Sequence, residues 1–277
     1  MKKYTLPIAS SALLLALAAI PHTSVNAQVG QAGFAKGQDV SPTFDGWERN
    51  SDGTYTLYFG YFNRNSDEEF DVPIGPDNTV DPGGDRGQPT HFNPARKWWV
   101  FKVVVPADWP KDRRVVWTLT THGKTNQAKG WLQREWEVDE DLIAKNAARD
   151  PSLMTSGSNE TDLDHENRPP SMTGSPVQTV NLSDTLTVTV TATDDGRQTP
   201  VPDPTGRLQQ GVRVRWIVYR GAGRVRIDPD LMSQRVYGKP ATLETKVSFA
   251  ARGAYRLRAI ASDGQAFSTY DVDVTVK

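Results

Sequence analysis

Residues Asp184 to Thr193 read DTLTVTVTAT, in which apolar side chains alternate with threonine. Leu186, Val188, Val190 and Ala192 would share one face of an extended chain, because successive side chains of a strand point to opposite sides. One apolar face and one polar face are typical of an antiparallel sheet that covers a core on one side. This stretch therefore predicts a half-buried β-strand.

The same pattern continues towards the C-terminus. Val212 to Tyr219 again alternates, with Trp216 on the apolar face and Arg213 and Arg215 on the other. Further strands are predicted at Arg224–Ile227, Ala241–Phe249, Tyr255–Ala261 and Phe267–Val276. Six or seven short strands separated by turn residues are typical of an antiparallel sandwich.

The first half of the chain also predicts β structure. Seven of the eight tryptophans lie between Trp47 and Trp136. Lys97–Val105 is almost continuously apolar, which favours a central strand covered on both faces. The other predicted strands are Thr54–Asn63, Arg114–Thr121 and Gly130–Val138, the last two joined by a turn at 122–125. Asp139 is a candidate N-cap for one short helix near 139–148. The predicted fold class is mainly β, with two antiparallel sandwich-like domains.

The domain boundaries follow from composition. Lys2 and Lys3 precede an apolar segment that ends in Val25-Asn26-Ala27, so residues 1–27 are interpreted as a signal peptide. We expect an aromatic-rich β domain at 28–150, a polar linker or long loop at 151–176, and an immunoglobulin-like sandwich at 177–277. The apolar run is too short and too interrupted to favour a transmembrane anchor. The predicted location is periplasmic or extracellular.

Charge and cysteine content narrow the function classes. The chain has no cysteine, so each exported domain must be held by burial alone. Residues 28–168 carry 16 Lys/Arg against 23 Asp/Glu, whereas residues 169–277 carry 14 against 10. This asymmetry allows the two halves to attract each other. An exported chain with a slightly negative total argues against nucleic acid as a partner.

The C-terminal segment carries a family resemblance. Gly253-Ala254-Tyr255-Arg256-Leu257 resembles the tyrosine-corner segment of immunoglobulin-like domains, and Trp216 stands where those domains have their core tryptophan. Residues 170–277 are similar to bacterial immunoglobulin-like, PKD-like and cadherin-like modules, many of which also lack the cysteine pair of antibody domains. The resemblance implies a β-sandwich and says little about function, because such sandwiches have many tasks. The first half resembles no family of known function.

Two binding surfaces are candidates in the first half. Glu68–Pro94 is a long irregular stretch rich in proline and glycine that includes Phe92, and such long loops are often functional. Trp98 and Trp99 belong to a group of tryptophans that could stack on sugar rings. The alternative is that these aromatic side chains form core. Adjacent strand residues point to opposite faces, so one of the two is expected to be exposed unless both faces are covered.

The arginines of the second half form another candidate. Arg213 and Arg215 would lie beside Arg224 and Arg226 on one outer face, if Gly221–Gly223 turned their strands into a hairpin. Rows of guanidinium groups bind carboxylates, sulfates or phosphates. The acidic first half is the nearest partner for such a row, followed by an anionic glycan. A solvated strand face that guards against edge aggregation is the simpler interpretation.

Calcium is the only cofactor that the sequence suggests. Asp162 and Asp164 lie in the linker just before the second sandwich, and Asp195 follows one of its strands. Ca²⁺ takes six to eight oxygen ligands, which clustered carboxylates supply. The cadherin-like resemblance implies the same arrangement. The alternative is that aspartate simply favours solvated turns.

No pattern for catalysis is present. The chain has no HExxH motif, no Gly-x-Ser-x-Gly elbow and no cysteine nucleophile. We therefore expect a non-enzymatic interaction or scaffold protein of the cell envelope or extracellular space, with an envelope or extracellular protein as partner. The alternatives are a carbohydrate-binding accessory protein or weak glycan-active enzyme, and a structural subunit of an extracellular assembly.

Overall fold

The computed structural model describes residues 34–139, 142–143, 166–197, 201–202, 208–209, 211–234 and 238–277. The predicted signal peptide, most of the predicted helix and most of the predicted linker lie outside these residues. Gly33–Lys277 forms one compact unit. Within it, the described residues are almost entirely β and build two sandwiches, which confirms the predicted fold class.

The first sandwich packs two three-stranded sheets around a shared core. One sheet has the order β1-β2-β6 and the other the order β4-β7-β8, with β3 and β5 forming a separate pair. The strands are β1 (Val40–Arg49), β2 (Tyr55–Asn63), β3 (Phe70–Asp71), β4 (Asn78–Asp81), β5 (His91–Phe92), β6 (Ala95–Val105), β7 (Val115–Thr121) and β8 (Lys124–Gly130). Leu57, Phe59 and Trp117 are fully buried in this core.

Two predictions for the first sandwich are wrong. β6 is an edge strand with alternating burial, and Val104 on its outer face is about half exposed. The partner of β7 is β8, not Gly130–Val138. His122 and Gly123 form a two-residue turn with φ values of 51° and 72°, so pairing resumes at once at Lys124. The chain then leaves the sheet and makes a 3₁₀ helix at Arg134–Trp136.

The second sandwich has an immunoglobulin-like strand order. Its sheets are β10-β19-β18-β14-β16 and β15-β17-β11-β9. The strands are β9 (Ser171–Gly174), β10 (Gln178–Val180), β11 (Leu186–Thr193), β14 (Arg213–Arg220), β15 (Val225–Asp228), β16 (Leu231–Ser233), β17 (Ala241–Phe249), β18 (Gly253–Ser262) and β19 (Phe267–Val276), and a short pair of β12 (Val201–Pro202) with β13 (Leu208–Gln209) lies apart. β9 begins inside the stretch predicted as linker. Strands match every segment predicted here from alternation.

The landmarks of the resemblance occupy the expected places. Trp216 on β14 is 2% exposed and belongs to the core between the two sheets. The Tyr255 hydroxyl donates a hydrogen bond to the Ala251 carbonyl, four residues back, over 2.8 Å. This is the bond that defines a tyrosine corner. Leu257 is fully buried two residues later.

The start of the predicted helix is visible. The Asp139 carboxylate accepts a hydrogen bond from the Leu142 backbone N–H over 2.7 Å, and the Asp139 carbonyl accepts one from Ile143 N–H. This is the bonding expected of an N-cap residue. The rest of the predicted segment, residues 144–148, lies outside the described residues. No helical segment in the described part of the chain has the length and apolar character required to cross a membrane.

Candidate functional site: the cleft between the two sandwiches

A bulge in β6 shapes the surface that the first sandwich presents to the second. Phe59 pairs with Phe101 and Tyr61 pairs with Lys97, so three residues of β6 stand opposite Gly60 alone. Trp99 in this bulge has a φ of 54°, a left-handed conformation that is unusual for a bulky residue. A Cβ on Gly60 would lie 2.2 Å from the Lys97 carbonyl oxygen, so only glycine fits there.

The bulge brings both adjacent tryptophans to the same region. Trp99 is 8% exposed and belongs to a small apolar cluster with Val138 and Ile260, against which Trp98 packs. Their ring centroids are 6.1 Å apart. The expectation that one of the two would point away assumed a regular strand, which the bulge breaks.

An ion pair between Asp45 and Arg96 holds the bulge in place. Asp45 accepts hydrogen bonds from the Trp99 backbone N–H and from the Arg96 guanidinium, which also lies over the Trp98 ring. Burial raises the pKa of Asp45, although Arg96 and the Trp99 N–H oppose the shift. Removing either charge would leave the other buried without its partner, which is costly.

The second sandwich supplies a matching wall from β14 and β18. The Arg258 guanidinium lies 3.4 Å from the centre of the Tyr219 ring and is held by both carboxylate oxygens of Asp271. It also donates to the Val100 carbonyl of the first sandwich over 3.0 Å. Arg258 therefore joins the two sandwiches while its charge stays paired.

The long proline- and glycine-rich stretch of the first sandwich contacts the chain's own second sandwich. The Arg220 guanidinium binds the Asp85 carboxylate through two hydrogen bonds of 2.8 and 3.1 Å and donates to the Gln88 carbonyl over 2.9 Å. The Tyr219 hydroxyl donates to the Gly87 carbonyl over 2.6 Å. The ion pair between Arg220 and Asp85 is therefore a contact of the kind that the predicted attraction between the acidic and basic halves requires. We call this group of residues, Asp85–Gln88 with Tyr219 and Arg220, the latch.

A cleft of about 340 Å³ lies between the sandwiches beside the latch. Its first wall includes Trp98, Trp99 and Asn93, and its second wall includes Arg215 and Phe267. Small-molecule sites are commonly concave, aromatic-lined and located at such domain boundaries. A second cavity of about 580 Å³ adjoins the same tryptophan, Trp99, and reaches Ile143.

A charged histidine stands at the rim of the cleft. His91 on β5 is 6% exposed, and its ring nitrogens lie 2.8 Å from the Asp71 carboxylate and 3.3 Å from the Glu69 carboxylate. Burial disfavours the charged ring, but the hydrogen bonds to these two carboxylates outweigh it and raise the pKa of His91 to about 9. The imidazolium is therefore present at neutral pH.

Several predicted site residues are not brought together. β14 and β15 pair in different sheets, so the predicted hairpin does not form and the four arginines share no common face. Arg213 and Arg215 lie on β14, whereas Arg224 precedes β15, which carries Arg226. Of the four, Arg215 lines the cleft, and Arg226 is an exposed residue beside Asp228 of its own strand.

Phe92 is a core residue. It is fully buried between the Tyr61 and Trp117 rings, at centroid distances of 5.1 and 6.2 Å. A ligand therefore has no access to this side chain, and the expectation that it belongs to a binding surface is wrong. The reason is that β5 pairs with β3 and lies inward, although the surrounding stretch is irregular in sequence.

Asp195 is the described member of the predicted calcium group, and Asp162 and Asp164 lie outside the described residues. The Asp195 carboxylate accepts hydrogen bonds from the backbone N–H groups of Arg168 and Arg197. Burial, followed by the charges of Asp263 and Asp195, raises the pKa of neighbouring Asp194 to about 6. Within the described ranges, no three acidic or histidine side chains are grouped closely enough to hold a metal ion. Calcium stays a prediction.

Comparison with known proteins gives no family. Neither a family model nor a curated protein matches the chain. The D00–D0 domain of intimin is a similar solved structure, with 11% identity over 86% of this chain and 100% of that one, at a TM-score of 0.26. AggA, the major subunit of aggregative adherence fimbriae type I from Escherichia coli, is 16% identical over 39% of this chain and 95% of its own, at 0.24.

Domains 4 and 5 of the S-layer protein SbsC are 11% identical, with a TM-score of 0.27. That match covers 59% of this chain and 65% of the SbsC structure, just under two thirds. Scores this low carry no argument about function. The immunoglobulin-like assignment rests on the strand order and the tyrosine corner of the second sandwich.

The sequence did not indicate the residues that join the sandwiches. Tyr219 and Arg258 lie on strands whose other face forms core, and each stands at a polar or mixed position of the alternation. Arg220 follows the apolar positions of β14 in sequence and leaves the core face because the register shifts after Val218. One signal was available: Ile217, Tyr219 and Ile260 are apolar residues on a face that a lone sandwich would expose to water. Apolar residues on the outer face of a strand indicate a second packing surface.

Proposed function

We propose that this chain is a non-catalytic interaction or scaffold protein of the cell envelope or extracellular space, in which the two sandwiches act as one rigid unit. The observation that carries the proposal is the latch, because it fixes the sandwiches through charged and backbone hydrogen bonds as well as apolar contacts. A fixed arrangement presents surfaces of both sandwiches to one partner, which a flexible tether would not do.

The latch also changes which surface we expect a partner to bind, because part of the candidate loop Glu68–Pro94 contacts the second sandwich. The middle of Glu68–Pro94 is occupied by the second sandwich, so we assign partner binding to the faces that remain exposed. Among them, Val104 of β6 and Trp136 of the 3₁₀ helix are exposed large apolar residues on the first sandwich. A partner that covers such residues gains the apolar burial on which most protein–protein association depends.

The experiment is crosslinked affinity purification of the tagged full chain from its native envelope and medium, read by mass spectrometry. We expect a stoichiometric protein partner that is lost when Val104→Asp and Trp136→Asp are combined. The matched control is Val177→Asp, which changes an exposed valine of the second sandwich. Recovery of the chain alone, or with polysaccharide only, would contradict the proposal.

A second candidate function is carbohydrate binding without catalysis. The observation that favours it is the tryptophan-lined cleft, since flat aromatic rings suit the faces of sugars. This candidate needs no protein partner, so the purified chain alone can test it.

A further inference from the structure

We propose that the cleft between the sandwiches binds a neutral saccharide, with Trp98 as the stacking surface and the charged side chains of both walls as hydrogen-bonding partners for ring hydroxyls. This inference deepens the second candidate function and is independent of any protein partner. It rests on the shape of the cleft, on its aromatic lining and on the mixture of donors and acceptors around it.

The cleft has the size and composition of a ligand site. Its volume of about 340 Å³ is within the range of small-molecule pockets, roughly 300–1,000 Å³. Trp98 is only partly buried there, and the Arg96 guanidinium lies 3.8 Å from the centre of its ring. That cation holds the indole in place, so little side-chain entropy is lost when a ligand stacks on it.

The polar groups of the walls suit hydroxyls rather than a single charge. Glu69 and Asp230 supply carboxylate acceptors, Lys97, Arg215, His91 and Arg258 supply cationic donors, and Asn93 supplies both kinds of group. The charges of His91 and Arg258 are balanced by the Asp71 and Asp271 carboxylates, which lie outside the cleft lining. A sugar hydroxyl donates one hydrogen bond and accepts others, so it can use both kinds of wall group. An anion would have to approach the two carboxylates, and a cation would have to approach the lysine and the arginine. This balance is the reason for assigning a neutral ligand.

The test uses the purified chain and isothermal titration calorimetry. The probes are four neutral tetrasaccharides, built from β-1,4-glucose, α-1,4-glucose, β-1,4-xylose and β-1,4-N-acetylglucosamine, together with tetragalacturonate as the anionic comparison. We expect saturable binding of at least one neutral probe. Absence of saturable binding to all four, or binding of tetragalacturonate alone, would overturn the proposal.

Three variants locate the binding. Trp98→Ala should weaken binding at least tenfold through loss of the stacking surface. Thr269→Trp should abolish binding because it fills the cleft from an exposed position on β19, where the fold tolerates a larger side chain. Trp109→Ala, which removes a partly exposed tryptophan that lies under the Arg113 guanidinium and outside the cleft lining, is the control and should leave affinity unchanged. Binding that survives both cleft variants would also refute the assignment, and unchanged melting temperatures establish that the variants are folded.

Discussion

His91 shows how a single buried residue can make stability depend on pH. Its pKa of about 9 in the folded chain lies above its ordinary value of 6.5. A base whose pKa is raised by folding stabilises the folded state fully below the unfolded pKa. That contribution is lost as the pH rises through the folded pKa. The loss is therefore expected between about pH 6.5 and pH 9.

We predict that His91→Gln destabilises the chain most near pH 6 and least above about pH 9.5. The measurement is the free energy of unfolding of the variant and of the natural chain, obtained by urea denaturation at several pH values. His122→Gln is the control, because His122 is far more exposed and contacts only the Glu68 carboxylate among the described acids. A His91→Gln effect of equal size at every pH would show that the ring's charge is not what matters.

Asp194 has a linkage of the same sign at lower pH, although its favoured protonated form is neutral rather than charged. Its pKa is raised to about 6, so folding favours the protonated carboxyl, and its ionisation at neutral pH weakens the fold. We predict that Asp194→Asn raises the melting temperature at about pH 7.5 and that this gain disappears below about pH 4. Differential scanning fluorimetry across pH measures both. A lower melting temperature at pH 7.5 would mean that the carboxylate makes a stabilising contact, such as a metal bond.

At the scale of strands, the β6 bulge depends on Gly60. A methyl group there would meet the Lys97 carbonyl at 2.2 Å and the Asp45 carboxylate at 2.4 Å. We predict that Gly60→Ala lowers the free energy of unfolding by about 1–3 kcal/mol, as overpacking commonly does, and shifts the tryptophan emission. Gly75→Ala is the control, since no atom lies within 4 Å of its added Cβ. An equal effect of both substitutions would refute the close-contact explanation.

The tyrosine corner gives a prediction for the second sandwich. Tyr255→Phe removes the hydroxyl that donates to the Ala251 carbonyl over 2.8 Å. We expect a loss of about 0.5–1.5 kcal/mol in the free energy of unfolding, the usual net value of one hydrogen bond. Tyr270→Phe serves for comparison, because its hydroxyl lies 3.4 Å from the nearest acceptor and should contribute less. A larger loss for Tyr270→Phe would contradict this ranking.

The sequence predicted β2 and β6 from runs of aromatic and apolar residues, and most of the other strands from a period of two. In β11, β14 and β17 the apolar residues keep to one face, so the pattern alone locates them. β1 was missed because Pro42 and the irregularity at Gly46 interrupt its alternation, and β8 because its residues are mostly polar. Both segments form strands because they pair with neighbouring strands, and a pattern along one chain does not reveal that pairing.

The candidate site was less accessible to sequence reasoning than the fold. Trp98, Trp99 and Arg215 were singled out and do line the cleft, but the reason they meet is the bulge and the docking of two sandwiches. The bulge has no signature in a single sequence, and the docking has only the apolar residues Ile217, Tyr219 and Ile260 on an outer strand face. The arginine row failed for a related reason: the turn after Arg220 sends the chain to the other sheet rather than into a hairpin.

At the scale of the whole molecule, the latch should make the two sandwiches unfold together. Arg220 holds Asp85 and Gln88 at once, and its side chain is about four-fifths buried. We predict that Arg220→Ala splits one calorimetric unfolding transition into two, because each sandwich keeps its own core. Arg226→Ala should leave a single transition, since that side chain is exposed and contacts only a strand neighbour among the described carboxylates. Two transitions in the natural chain would contradict this coupling.

The sequence separation of the latch also sets an order of events in folding. Tyr219 reaches Gly87 across 132 residues and Arg220 reaches Asp85 across 135, whereas β7 and β8 are joined by a two-residue turn. Contacts between distant residues form late, because closing a long chain costs entropy before any contact repays it. We expect refolding to pass through a stage in which both sandwiches exist apart and Trp98 and Trp99 are still uncovered. During that interval the apolar surfaces that meet between the sandwiches, which include Trp99 and Ile260, are exposed to neighbouring chains. Because these surfaces favour aggregation, we expect the refolding yield to fall as the protein concentration rises.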